Sequence, residues 1–163
     1  MGSIAELRRI LGTCRTLAVV GLSPQWHRPS YFAAKYMQSH GYRIVPVNPG
    51  ATEILGERAY PSVTAAAQAL AAQGVTIDMV DCFRRSEDIP PLAEEAIAVG
   101  ARCLWQQLGV VNEAAADRVR AAGLDAVLDR CVKIEHARLF GGLNWAGVNT
   151  RVISARRPQQ LPY

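Results

Sequence analysis

Residues 16–22 (Thr-Leu-Ala-Val-Val-Gly-Leu) form an unbroken apolar run that ends near a glycine. Four more short runs follow at 42–47, 77–83, 103–108 and 124–128. A strand apolar on both faces needs cover on both sides, which the interior of a parallel sheet supplies. The intervening segments read as helices. Ser3-Ile4-Ala5-Glu6 is a capping box, and behind it Ile4, Leu7, Ile10 and Leu11 share one helical face. Residues 30–39 read as a helix that stops before Gly41. After Pro61-Ser62 an alanine-rich helix runs to about Gln73, with Gly74 suited to its C-terminal cap. Asp88 before Pro90-Pro91 opens another helix, which Gly100 ends, and Asn112 caps one that ends at Gly123.

Strands alternating with helices of about ten residues specify right-handed crossovers and a parallel sheet. The expected fold is α/β: a single Rossmann-like, doubly wound domain built on a five-stranded parallel sheet. Its 163 residues allow one full core rather than two. We place the domain at residues 1–140. From Phe140 the pattern dissolves into Gly141-Gly142, Asn144, Gly147 and Arg156-Arg157-Pro158, so 141–163 is expected to be a tail packed on the same domain, disordered at its end.

Hydrophobic residues make up 50% and charged residues 20%, a globular balance. No apolar run approaches the roughly 20 residues of a membrane helix, and the N-terminus lacks the basic-then-apolar order of a signal peptide. A cytoplasmic location is expected. The cysteines at 14, 82, 103 and 131 form no CxxC pair, which fits free thiols better than a zinc site or a disulfide framework. The net charge of +4 suits an anionic ligand, and no basic stripe points to nucleic acid.

In an open parallel sheet, ligands bind beyond the C-terminal strand ends. After the first strand, Gly21 permits a tight turn and the loop Leu22–Ser30 leads into a helix whose free amides suit phosphate, with Arg28 to pair with it. The glycines of a dinucleotide fingerprint are absent, since Ser23 and Trp26 stand in their places. After the second strand, Asn48 replaces the acid that would hold an NAD ribose, and Pro49 offers a flat surface to adenine. After the third, Phe83 can pack on a base. One of Arg84 and Arg85 can take phosphate while the other pairs with Glu87 or Asp88. After the fourth, Gln107 can hydrogen-bond a ligand amide and Gly109 permits close backbone approach, while Trp105 reads as core. After the fifth come Cys131, Glu135 and His136. On a helix Cys131 and His136 point apart, so structural roles outweigh catalysis or metal binding.

These motifs together resemble the stand-alone bacterial CoA-binding proteins, similar in fold to the N-terminal domain of the succinyl-CoA synthetase α subunit. The residues carrying the resemblance are Gly21-Leu22-Ser23 with Arg28-Pro29-Ser30, Pro46 to Pro49, Asp81 to Arg84, Trp105 to Gly109, and Asp129-Arg130-Cys131 through Glu135-His136. The resemblance implies that coenzyme A, free or acylated, lies with its ADP part across the strand ends. Gly21, Ser23, Arg28 and Ser30 would then form the phosphate loop. Asn48 and Pro49 would line the adenosine side, opposite Phe83 and Arg84, and Gln107 and Gly109 would face the pantetheine. Gln106 departs from the leucine common among relatives and is expected to point away from the ligand. No histidine sits in anything resembling the phosphorylated segment of the larger synthetases, so binding without catalysis is expected. The alternatives are an NAD(P)-dependent oxidoreductase or redox sensor, and an acyl-CoA enzyme using Cys131 or His136. Cys131 is also a candidate for a mixed disulfide with CoA.

Overall fold

A computed structural model describes residues 2–141; the tail expected at 141–163 thus lies almost wholly outside the described residues. In chain order the elements are α1 (Ile4–Thr13), β1 (Thr16–Val20), α2 (Pro29–Ser39), β2 (Arg43–Val47), β3 (Glu53–Ile54), β4 (Glu57–Arg58) and α3 (Val63–Ala71). Then follow β5 (Met79–Cys82), a 3-10 turn at Ser86–Asp88, α4 (Ile89–Ala98), β6 (Cys103–Gln106), α5 (Glu113–Ala121), β7 (Asp125–Val127) and α6 (Val132–Phe140).

The five apolar runs form one parallel sheet in the order β2-β1-β5-β6-β7. This is the Rossmann-like α/β arrangement that the alternation specifies. Each strand is shorter than its apolar run, because residues at one or both ends of the run leave the ladder and enter the flanking loops. Alanines let helices lie close on one face: Ala66 of α3, Ala93 and Ala96 of α4, and Ala115 and Ala116 of α5 are all buried. Larger side chains fill the other face, among them Leu7 and Leu11 of α1, Met37 of α2, Val132 of α6, and Trp105 from β6. Trp105 is fully buried, and its indole N–H donates to the Arg130 carbonyl at 2.7 Å.

Three features depart from the sequence expectation. The capping box at Ser3 forms, with Leu7, Ile10 and Leu11 buried, but Ile4 in the first turn stays 59% exposed. Asp88 precedes α4 without capping it and turns its carboxylate to Arg85 instead. The connection after β2 contains a small antiparallel hairpin, β3 with β4. Its turn needs positive φ at both Leu55 and Gly56, and leucine is an unusual residue there. The hairpin brings Tyr60 back beside Val47, where the Asn48 amide donates to the Tyr60 carbonyl at 2.9 Å.

His136 on α6 ties the second face together. Its Nδ1 lies 3.0 Å from the Tyr36 hydroxyl, and its ring is surrounded by those of Tyr36, His40, Tyr42 and Phe140. Burial, with smaller effects from His40 and Arg15, lowers its pKa to about 4. The unfolded chain therefore takes up a proton between about pH 6.5 and 4 that the folded chain refuses. Stability contributed by neutral His136 is present above the unfolded value and lost as pH falls through this window. In denaturant unfolding, wild type should lose about 1–2 kcal/mol between pH 7 and pH 4 relative to His136→Gln, which carries no such proton.

Candidate functional site

The order β2-β1-β5 reverses the direction of winding between β1 and β5. The crossovers on either side leave in opposite directions, and a crevice opens above the strand ends at that point. Gly21 ends β1 at φ +81°, and the backbone of the loop after β5 presses directly on it. A Cβ at Gly21 would collide with the Phe83 carbonyl oxygen. Both the conformation and the space require glycine here.

Above this contact lies a cleft of about 1090 Å³. Gly21, Ser23, Arg28 and Ser30 border it from the β1–α2 loop, Phe83, Arg84 and Arg85 from the loop after β5. Gln107, Leu108 and Val110 follow from the loop after β6, and Cys131 and Ile134 from the start of α6. The β1–α2 loop holds its own shape. The Ser30 hydroxyl accepts from the Ser23 amide at 3.0 Å, and the Ser23 hydroxyl accepts from the Gln25 amide at 3.1 Å. Arg28 stands at the N-cap of α2, with its Nε donating to the Gln25 side chain at 3.3 Å.

A smaller cleft of about 510 Å³ adjoins it, sharing Gly21, Ser23, Arg84 and Asp88. Asn48 and Pro49 line it, together with Pro61, Ser62 and Glu95. The Asn48 side chain is committed to the backbone: its Nδ2 donates to the Leu22 carbonyl at 3.0 Å and its Oδ1 accepts from the Gly50 amide at 2.8 Å. It binds the loop after β1 to the end of β2.

Arg85 Nε donates to Asp88 at 3.0 Å and lies 3.6 Å from Glu87, whereas Arg84 approaches Asp88 only to 4.0 Å. Arg85 is thus the more firmly paired of the two, although both border the larger cleft. Gln107 reaches the cleft, but its amide is already occupied. Nε2 donates to Asp81 and Oε1 accepts from the Val132 amide at the start of α6. Gly109 borders neither cleft; it makes a turn at φ +82°, and its amide donates to Asp129 at 2.7 Å. Gln106, fully buried, clamps the Asn112 backbone through both ends of its amide.

Cys131 and His136 are not brought together: the first borders the cleft, the second lies in the aromatic cluster. Burial pushes the Cys131 thiol up, against the smaller opposing effect of the Ile134 and Lys133 amides, so it stays protonated at neutral pH. Glu135 is held between Arg130 and Arg138. All four cysteines are free. Among the described residues no cluster of three His, Cys, Asp or Glu side chains can hold a metal ion, and no helix is long and apolar enough to cross a membrane.

Several bordering residues escape sequence reasoning. Pro61 and Ser62 reach the smaller cleft because the β3–β4 hairpin returns the chain to β2, and Glu95 reaches it from α4, where it accepts from Thr64 at the start of α3; no local signal announces either approach. Asp81, in mid-strand, carries no sequence signal beyond its place in a motif. It is 1% exposed beneath Gln107, and burial raises its carboxyl to about 7, opposed by the Gln107 hydrogen bond.

A model of the CoA-binding domain matches residues 15–137. The chain belongs to the CoA-binding domain family. A relative from Bacillus subtilis (strain 168), the uncharacterized protein YneT, is 41% identical over 135 residues, covering 83% of this chain and 95% of YneT. A hypothetical protein from Pyrococcus horikoshii OT3 superposes with a TM-score of 0.78 at 35% identity, over 86% of this chain and 94% of that one. A dinucleotide-forming acetyl-coenzyme A synthetase from Ca. Korarchaeum cryptofilum shares the fold over 74% of this chain and 27% of its own, at 18% identity and a TM-score of 0.58.

Two stability measurements follow from this geometry. Gly21→Ala should lose at least about 2 kcal/mol in denaturant unfolding, through positive φ and the collision with a carbonyl that cannot swing aside. For Asp81, the folded chain holds a proton between about pH 4 and 7 that the unfolded chain releases, so wild-type stability declines as pH rises through that window. The thermal midpoint of Asp81→Asn minus that of wild type should therefore grow from near zero at pH 4 to a plateau above pH 7.

Proposed function

We propose that this chain binds coenzyme A or an acyl-CoA across the two clefts and carries out no chemistry of its own. The observation carrying this reading is the larger cleft of a CoA-binding domain family member, which Arg28, Arg84 and Arg85 border together with Gly21 and the start of α2. Guanidinium groups beside a helix N-terminus are suited to a pyrophosphate. In this reading Gly21, Ser23, Arg28 and Ser30 cradle the pyrophosphate, the first three bordering it and Ser30 chiefly shaping the loop. The adenosine lies in the smaller cleft along Asn48 and Pro49, opposite Arg84, and Phe83 flanks the junction. The pantetheine runs the other way, past Gln107 towards Leu108, Val110, Ile134 and Cys131. Gly109 acts at one remove, by shaping the turn that carries Leu108.

The NAD(P) alternative is less well supported. No acid follows β2 to hold a ribose diol, and the amide of Asn48 is spent on Leu22 and Gly50. Binding without catalysis is supported by the protonated state of Cys131 and the enclosure of His136 in the aromatic cluster. The free thiols accord with a reducing, cytoplasmic setting.

Isothermal titration with CoA and with NADPH tests the reading. CoA should bind, and Arg28→Ala should weaken it by about ten- to a hundredfold, the loss expected for a charge-assisted hydrogen bond. Binding of NADPH in preference to CoA would replace this reading with a redox one.

A further inference from the structure

The two clefts differ in charge. Arg28, Arg84 and Arg85 border the larger one against Asp88 alone. In the smaller one Arg84 faces Glu87, Asp88 and Glu95. The helix start that opens towards the smaller cleft is also already taken. At α3, the Thr64 amide and hydroxyl both donate to Glu95, at 3.2 and 2.9 Å, and the Ala65 amide donates to the Ser62 hydroxyl. Asp88 sits at the start of α4, where its carboxylate engages Arg85 at 3.0 Å. Arg58, in the nearby hairpin, is laid over the Tyr60 ring and lies across the ladder from Glu53. A negative group entering the smaller cleft therefore meets three carboxylates against one guanidinium, and at the start of α3 the Thr64 amide is taken by the chain's own Glu95 and the Ala65 amide by Ser62.

We infer that the site reads the pyrophosphate of its ligand but not a 3′-phosphate on the ribose, with Glu95 and Glu87 as the specificity-determining residues. The inference rests on the CoA reading and on the adenosine lying in the smaller cleft. CoA carries the 3′-phosphate at that end, and dephospho-CoA differs from it only by lacking this group. The chain's ligand class is accordingly the ADP–pantetheine framework common to both, with the smaller cleft setting three carboxylates and the single guanidinium of Arg84 before the additional phosphate.

The test is isothermal titration of the full chain with CoA and dephospho-CoA at low ionic strength, in wild type and in Glu95→Ala. Wild type should bind dephospho-CoA more tightly than CoA, or within about threefold of it. Glu95→Ala frees the Thr64 amide and hydroxyl, and should move the ratio of the two affinities at least about threefold towards CoA. A wild-type preference for CoA beyond about threefold overturns the inference while leaving the CoA reading intact, and so does an unchanged ratio in a folded Glu95→Ala protein. If neither ligand binds, the CoA reading fails and takes the inference with it.

Discussion

The site depends on one close approach: the backbone of the loop after β5 lies against Gly21 at the end of β1. The reversal of strand order creates this contact, because β1 and β5 are neighbours whose chains leave the sheet towards opposite faces. Nothing larger than a hydrogen atom fits on Gly21 against the Phe83 carbonyl. With those two loops in register, Arg84 comes to stand between the two clefts. The remaining ties are hydrogen bonds that preserve the arrangement. Ser30 fastens the β1–α2 loop to its own helix, and Asn48 fastens the same loop to β2. Polar residues that look like ligand contacts thus act largely by holding backbone in place, which is what a preorganised anion site requires.

Beneath the cleft the chain accepts an energetic cost. Asp81 is buried with one side-chain hydrogen bond, from Gln107, whose other end receives the Val132 amide. The bridge joins β5, the loop after β6 and the start of α6, adding side-chain ties to the backbone bond from the Gln107 amide to the Cys82 carbonyl. A buried carboxyl is expensive when ionised, and its pKa near 7 expresses that expense. On the same face, His136 supplies a second polar tie, joining α6 to α2 through Tyr36. Gln107 and His136, both suggestive of chemistry when seen in a sequence, therefore support the framework of the site. The open cleft keeps the guanidinium groups of Arg28, Arg84 and Arg85 beside the aliphatic side chains of Leu108, Val110 and Ile134.

Much of this protein was legible in its sequence, because each part depends on contacts between near neighbours in the chain. Apolar runs of strand length, alternating with capped helices, leave a parallel sheet covered on both faces as the consistent outcome. The Ser3 and Asn112 caps form as their spacing requires. The cleft-bordering positions of Gly21, Arg28 and Arg84 follow from their places just beyond strands, where every such sheet opens.

What only the tertiary structure decided concerns partners far apart in the chain. No local pattern reveals that Leu55 takes a left-handed conformation, or that the hairpin it makes returns Pro61 and Ser62 to the end of β2. Nor does any local pattern show that Glu95, a turn and a half into α4, occupies the start of α3. The availability of a polar group is likewise a tertiary property. Asn48, Gln107 and Gly109 have suitable chemistry at suitable places, yet Leu22, Asp81 and Asp129 had already claimed their hydrogen bonds. A sequence determines which groups can bind and at which edge of the sheet they gather. Folding determines which of them remain unspent, because buried donors and acceptors must first satisfy one another.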